Sequence, residues 1–116
     1  MIAVKTYRFA VRIVRLYQYL QREKREYNLS NQLEKSGTSI RANVAESQYA
    51  QSRADFISKL SIALKEAAET EYWLDLLHDT GYLTEKEYGS IHDECVEIIK
   101  ILTSILKSTK STPLNQ

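Results

Sequence analysis

Between Phe56 and Leu77, the residues Phe56, Leu60, Ala63, Ala67, Thr70, Leu74 and Leu77 follow one another in alternating steps of four and three. That cadence puts all seven on one stripe of an α-helix, the seam used in left-handed bundle packing. A strand would divide them between its two faces. A helix with such a stripe needs other helices to cover it. The chain has only three Gly and one Pro in 116 residues. Few turns and sheet corners can be built from that supply, so the helices should be long.

Three more helices can be read from the same periodicity. The first covers about residues 5–25, with Phe9, Ile13, Leu16 and Leu20 on one face. The second runs from about Ser30, its expected N-cap, to about Tyr49, along Leu29, Leu33, Ile40 and Val44. Gly37 fills the remaining place on that line. Gly costs about 1 kcal/mol in a helix relative to Ala, so its position predicts a close crossing of another backbone. Ala42 and Ala45 also permit close approach.

The third helix opens at Ser52-Arg53-Ala54-Asp55, a capping box with Asp in place of Glu. It should end where Gly81 takes a left-handed conformation and Tyr82 and Leu83 fold back. Thr84 and Glu87 make a full capping box for the fourth helix. Its seam is Tyr88, Ile91, Cys95, Ile98, Leu102 and Ile105, supplemented by Val96, Ile99, Ile101 and Leu106. Short connections make neighbouring helices antiparallel. The expected fold is all-α, an antiparallel up-down-up-down four-helix bundle over residues 1–107. The polar stretch 108–116, which contains Pro113, is expected to be a disordered tail.

A bundle asks each helix for one buried face. Val4, Tyr7, Val11 and Val14 form a second apolar stripe on the first helix. It is either a candidate subunit interface or a widening of the core face. Charge is also uneven. Residues 1–58 hold ten Lys/Arg against five Asp/Glu, for +5, whereas residues 59–116 hold six against ten, for −4. This suits either a basic face for nucleic acid or complementary faces that meet. The single cysteine, Cys95, rules out an intramolecular disulfide and fits a reducing compartment. Met1 to Lys5 lack a signal-peptide core, and no apolar run approaches the ~18 residues that span a bilayer. A cytoplasmic location without a membrane partner is expected.

Ser39, Asn43 and Glu46 share one edge of the second helix, and Glu66 and Glu69 on the third could approach them. Such a polar cluster would either bind a small molecule or metal, or fix helix register through hydrogen bonds. A di-iron bundle needs Glu-x-x-His on two helices. Here only Asp75-Leu76-Leu77-His78 approximates it, because His92 follows Gly89 at that spacing. His78 suits the negative end of the third helix's dipole. Cys95, on the apolar seam, reads as an inert buried thiol. Phosphate loop, nucleophile elbow and Cys/His metal spacing are missing from the sequence. No catalytic residue, metal or cofactor is therefore expected, and the chain does not read as an enzyme.

Arg8, Arg12, Arg15, Arg22 and Arg25 lie along one side of the first helix, with Tyr19 near the missing step. Guanidinium groups grip phosphates bidentately, and a tyrosine can stack on a base. Two other readings remain open. The stripe could pair between subunits with Glu71, Asp75 and Asp79 or with Asp93 and Glu97, or it could be a solvated face. The moderate total charge argues against strong, general nucleic-acid binding.

Ser39-Ile40, Asn43-Val44-Ala45-Glu46, Ser52, Asp55-Phe56 and Gly81-Tyr82-Leu83 together resemble the bacterial four helix bundle protein family, over roughly Phe9 to Leu106. That family includes proteins encoded in intervening sequences of 23S ribosomal RNA genes. It is similar to accessory proteins of diversity-generating retroelements, which bind nucleic acid and a reverse transcriptase. The resemblance implies an antiparallel four-helix bundle that assembles into a ring, a homopentamer, with no established enzymatic activity. Possible partners are then further copies of the chain, RNA or DNA, or a nucleic-acid enzyme. A pure protein adaptor is a further possibility. The chain departs from the family pattern at Ser47 and Ala50, where Gly and Arg are usual, and at Arg41, where Pro is common. An altered phosphate contact would follow if the missing Arg carries one.

Overall fold

The computed structural model describes residues 1–113 and contains four helices: α1 (Ile2–Arg22), α2 (Asn28–Ser47), α3 (Arg53–Asp79) and α4 (Glu85–Ser111). Each packs on the next, and α4 returns to α1 to close the bundle. The cross-helix contacts show that neighbours are antiparallel. Gln21 reaches Ser30 while Gly37 meets Ile13, and Thr70 bonds Ser36 while Lys59 pairs with Glu46. The result is an up-down-up-down rod of 54 × 21 × 20 Å.

The core follows the predicted stripes closely. Phe9, Ile13 and Leu20 of α1 are buried, as are Leu33, Ile40 and Val44 of α2. The α3 seam is buried from Leu60 to Leu77, with Phe56 half-buried at its start. On α4 the buried line is Ile91, Cys95, Ile98, Leu102 and Leu106, so Leu106 rather than Ile105 is its final buried residue. Small residues set the spacing between helices. Gly37 lets the Ile13 side chain lie where a Cβ would stand only 2.7 Å from Ile13 Cγ2. A side chain, rather than a neighbouring backbone, takes the space that this glycine opens. The α1–α4 seam has bulkier residues, Phe9, Leu16, Ile91 and Ile98, and is the least closely packed of the four.

Helix ends mix expected and unexpected devices. Ser52 accepts from the Asp55 amide at 3.0 Å, while the Asp55 carboxylate turns to the Gln51 amide. Thr84 and Glu87 form the reciprocal capping box. Gly81, at φ +88°, follows α3 in a Schellman motif. Its N–H donates to the His78 carbonyl, and the Tyr82 N–H to that of Leu77. Leu83 is buried just beyond.

The start of α2 differs from the expectation of a Ser30 cap. The N-cap position falls three residues earlier, at Tyr27, and the carboxylate of Glu26 accepts from the amides of Asn28, Leu29 and Ser30 at 3.1, 3.0 and 2.7 Å. One buried acid thus satisfies three otherwise orphaned donors at the positive end of a helix. The Ser30 hydroxyl donates instead to the Glu26 carbonyl. At the other end of the chain, α4 continues to Ser111 rather than stopping at residue 107. The expected disorder of residues 114–116 lies outside the described residues.

Candidate functional site

The arginines of α1 border the groove that α1 and α4 leave between them. Arg12, Arg15, Leu16 and Tyr19 face Leu83, Glu87 and Ile91 across a hollow of about 370 Å³. Arg15, Tyr19 and Arg22 line a second hollow farther along, and Lys5 and Arg8 line one toward the N-terminus with Glu94 and Ile98. The helical period, with Phe9 and Ile13 pointing inward, explains this placement. Residues 8, 12, 15, 19 and 22 fall on the flank that turns toward α4.

The six sequence candidates are not equivalent. Arg12 pairs with Glu94 of α4 at 3.2 Å, and Lys5 pairs with Glu97. These contacts join the basic and acidic helices within one chain. Arg8, Arg15 and Arg22 are exposed and make no ion pair among the described residues. Arg25 is also exposed, but it lies off the helix at φ +52° in the turn to α2. The continuous stripe is therefore one residue shorter than expected.

Beside the stripe, Val4 is 48% exposed and Tyr7 60% exposed, while Val11 and Val14 are half-buried. The second apolar stripe is thus not absorbed into the core of a single chain. The surplus apolar residues of α4 behave differently. Val96, Ile99 and Ile101 are half-buried, and the exposed large hydrophobic residues all lie outside α4.

Among the described residues, no hydrogen bond joins Ser39, Asn43 and Glu46 of α2 to Glu66 and Glu69 of α3. Asn43 donates to the Ser39 carbonyl of its own helix, and Glu46 pairs with Lys59 at 2.9 Å. Glu69 accepts from Trp73 Nε1 at 3.1 Å. Burial, with neighbouring Glu69, raises the pKa of Glu66 above the usual carboxylate value. A second α2–α3 link in this region, a hydrogen bond of 2.9 Å, joins Ser36 and Thr70, both fully covered.

A cluster that the sequence did not reveal lies across α3 and α4. Tyr88 donates to Asp75 Oδ1 at 2.6 Å, and its ring stacks on His78 on one side and His92 on the other. His92 Nε2 meets Glu71 Oε2 at 2.9 Å. His78 binds Glu85 and Asp79, and the Glu85 contact raises its pKa. The expected dipole role of His78 is thus overlaid by a tether to the start of α4. The bond to Asp75 likewise pushes the Tyr88 hydroxyl well above its ordinary value. Below them Cys95 is buried, its thiol donating to the Ala67 carbonyl at 3.3 Å and pushed up to about 12 by desolvation. It has none of the thiolate character that reactive cysteines need.

Residues 1–104 match the family of 23S rRNA-intervening sequence proteins. The chain belongs to that family. This family member is also similar to a crystallised protein of unknown function from the S23 ribosomal protein family of Bacteroides thetaiotaomicron. The two are 55% identical, with a TM-score of 0.92, over 92% of this chain and 99% of the other. No match was found among curated proteins. Within the family frame, Ser47 is buried with its hydroxyl on the Val44 carbonyl, and Ala50 follows the end of α2. The buried Arg41 Nε has no hydrogen-bond partner among the described residues. No helix of the described chain is long and apolar enough to cross a membrane.

Proposed function

We propose that this family member is a non-enzymatic, self-assembling bundle that binds nucleic acid along α1. The observation that carries this reading is the row of exposed, unpaired Arg8, Arg15 and Arg22 beside Tyr19 on the α4-facing flank of α1. From Arg8 to Arg22 the helix rises about 21 Å. That is about six base-pair steps at ~3.4 Å each. Three or four guanidiniums per chain, counting Arg25, form a modest electrostatic footprint. Useful affinity then depends on several copies acting together, which the exposed Val4 and Tyr7 favour by offering an apolar patch to a second copy. A ring of five, as the family resemblance implies, would repeat the stripe around the assembly.

The test combines light scattering with fluorescence anisotropy on a structured ribosomal RNA fragment and on duplex DNA. The chain should scatter as an oligomer, and Tyr7→Glu should shift it toward the monomer. Binding should weaken with salt, with a logarithmic slope no steeper than about −4 per chain engaged. Arg8→Gln, Arg15→Gln and Arg22→Gln combined should abolish most of that slope. A concentration-independent monomer would refute assembly. Binding that ignores both salt and the triple substitution would refute the nucleic-acid reading.

A further inference from the structure

On the outer edge of the α3–α4 interface, three side chains turn their donor atoms toward one point. His92 Nε2 stands 2.9 Å from Glu71 Oε2 and 3.6 Å from Asp75 Oδ1, and all three atoms lie within 4.8 Å of one another. A proton on Nε2 can donate to Glu71 but not to Asp75, whose Oδ1 lies beyond hydrogen-bond range of the ring and takes its hydrogen bond from Tyr88. Glu71 and Asp75 are also i and i+4 on α3, a spacing at which like charges repel. A cation held by several donors at once would relieve that repulsion and engage all three groups together.

We propose that Glu71, Asp75 and His92 form a binding site for a borderline divalent transition cation of the zinc class. Zinc bonds to nitrogen and oxygen are about 2.0–2.2 Å long, so tetrahedral donors stand about 3.4 Å apart. The two separations from Nε2 bracket that value. One imidazole and two carboxylates would leave a fourth position open, as in zinc sites with three protein ligands. Magnesium is a poorer fit, since it prefers oxygen donors and sheds its water reluctantly.

The surroundings hold the ligands in place. The Tyr88 hydroxyl fixes Asp75 at 2.6 Å, and the Tyr88 ring stacks on the His92 ring with centroids 4.8 Å apart. Oriented partners of this kind tune ligands in known metal sites. The three side chains are 34%, 46% and 23% exposed, in the order Glu71, Asp75 and His92, so an ion can reach them from solvent. His78 supplies an internal contrast. Its two acids, Asp79 and Glu85, sit on opposite ring nitrogens, so no single ion can be shared by the ring and both carboxylates.

Isothermal titration calorimetry on the full chain, stripped with chelator and then freed of it, tests the site with zinc chloride and magnesium chloride. The expected result is one saturable zinc per chain and no magnesium binding. Zinc affinity should fall at least tenfold in His92→Gln and Asp75→Asn and stay unchanged in His78→Gln. Circular dichroism checks each variant, and Glu71→Gln, expected to weaken zinc equally, replaces any that loses helicity. In NMR spectra, zinc should move the ring resonances of His92 before those of His78. No saturable zinc binding, equal affinity in the His92→Gln and parent proteins, or loss in His78→Gln would each overturn the proposal.

Discussion

Replacing Gly37 with Ala sets two opposing effects against each other. Alanine favours a helix interior over glycine by about 0.8–1 kcal/mol, so on an open surface the change would stabilise α2. Here the new methyl would lie 2.7 Å from Ile13 Cγ2, 2.9 Å from Cγ1 and 3.2 Å from Cβ. Ile13 has no exposed surface and a β-branched side chain with a stiff χ1, so it cannot swing clear. Overpacking of this kind costs about 1–3 kcal/mol. The expected net loss therefore lies between about 0 and 2 kcal/mol, or a fall in Tm of roughly 4 °C per kcal/mol for a chain of this length. The same geometry predicts strong coupling. Ile13→Ala alone should cost about 2–5 kcal/mol through its cavity, and at least about 1 kcal/mol less in the Gly37→Ala background, where the added methyl helps to fill it. Urea unfolding followed by helical circular dichroism, at one fixed chain concentration, measures all four corners of the cycle. A Gly37→Ala protein more stable than the parent would refute the reasoning. So would single effects that add within about 0.5 kcal/mol.

Two predictions concern pH. The hydrogen bond to Glu85 raises His78 above 6.5, so its protonated form favours the folded chain. That stabilisation should be complete below pH 6.5 and fade as pH rises through the folded value, with Glu85→Gln returning the NMR-measured pKa toward 6.5. Glu66 has the opposite sign, because burial raises an acid and its charged form opposes folding. Glu66→Gln should raise Tm at pH 7 and have little effect well below pH 4.5. A titration in which Glu85→Gln leaves His78 unmoved, or a Glu66→Gln protein less stable at neutral pH, would contradict these assignments.

The helices were legible in the sequence because each carries a stripe whose period leaves one face to bury, as the α3 seam from Leu60 to Leu77 shows. The caps at Ser52 and Thr84 were legible because their partners lie three residues away. Glu26 was not, because it caps α2 from a reversal whose path depends on how α1 packs. The meeting of Glu71, Asp75 and His92 also escaped notice, although each was weighed singly, since a search along each helix for ligands compares neighbours in sequence only. Yet the register was implicit in the tight Gly81 turn. His78–Glu85, Asp75–Tyr88, Glu71–His92 and Ala67–Cys95 are all centred on residues 81–82. Folding the sequence about that point would have brought the three donors together. The arginine row was legible as a helix face, but the salt bridge that removes Arg12 from it needed the position of α4.

The thiol of Cys95, sealed between α3 and α4 and held in its protonated form, has no route to a reagent while the two helices stay together. Alkylation must wait for them to part. The pace of that reaction is therefore a clock on breathing at this seam, with one reporter already built into each chain. A ligand that clamps the two helices together would slow the clock without touching the sulfur.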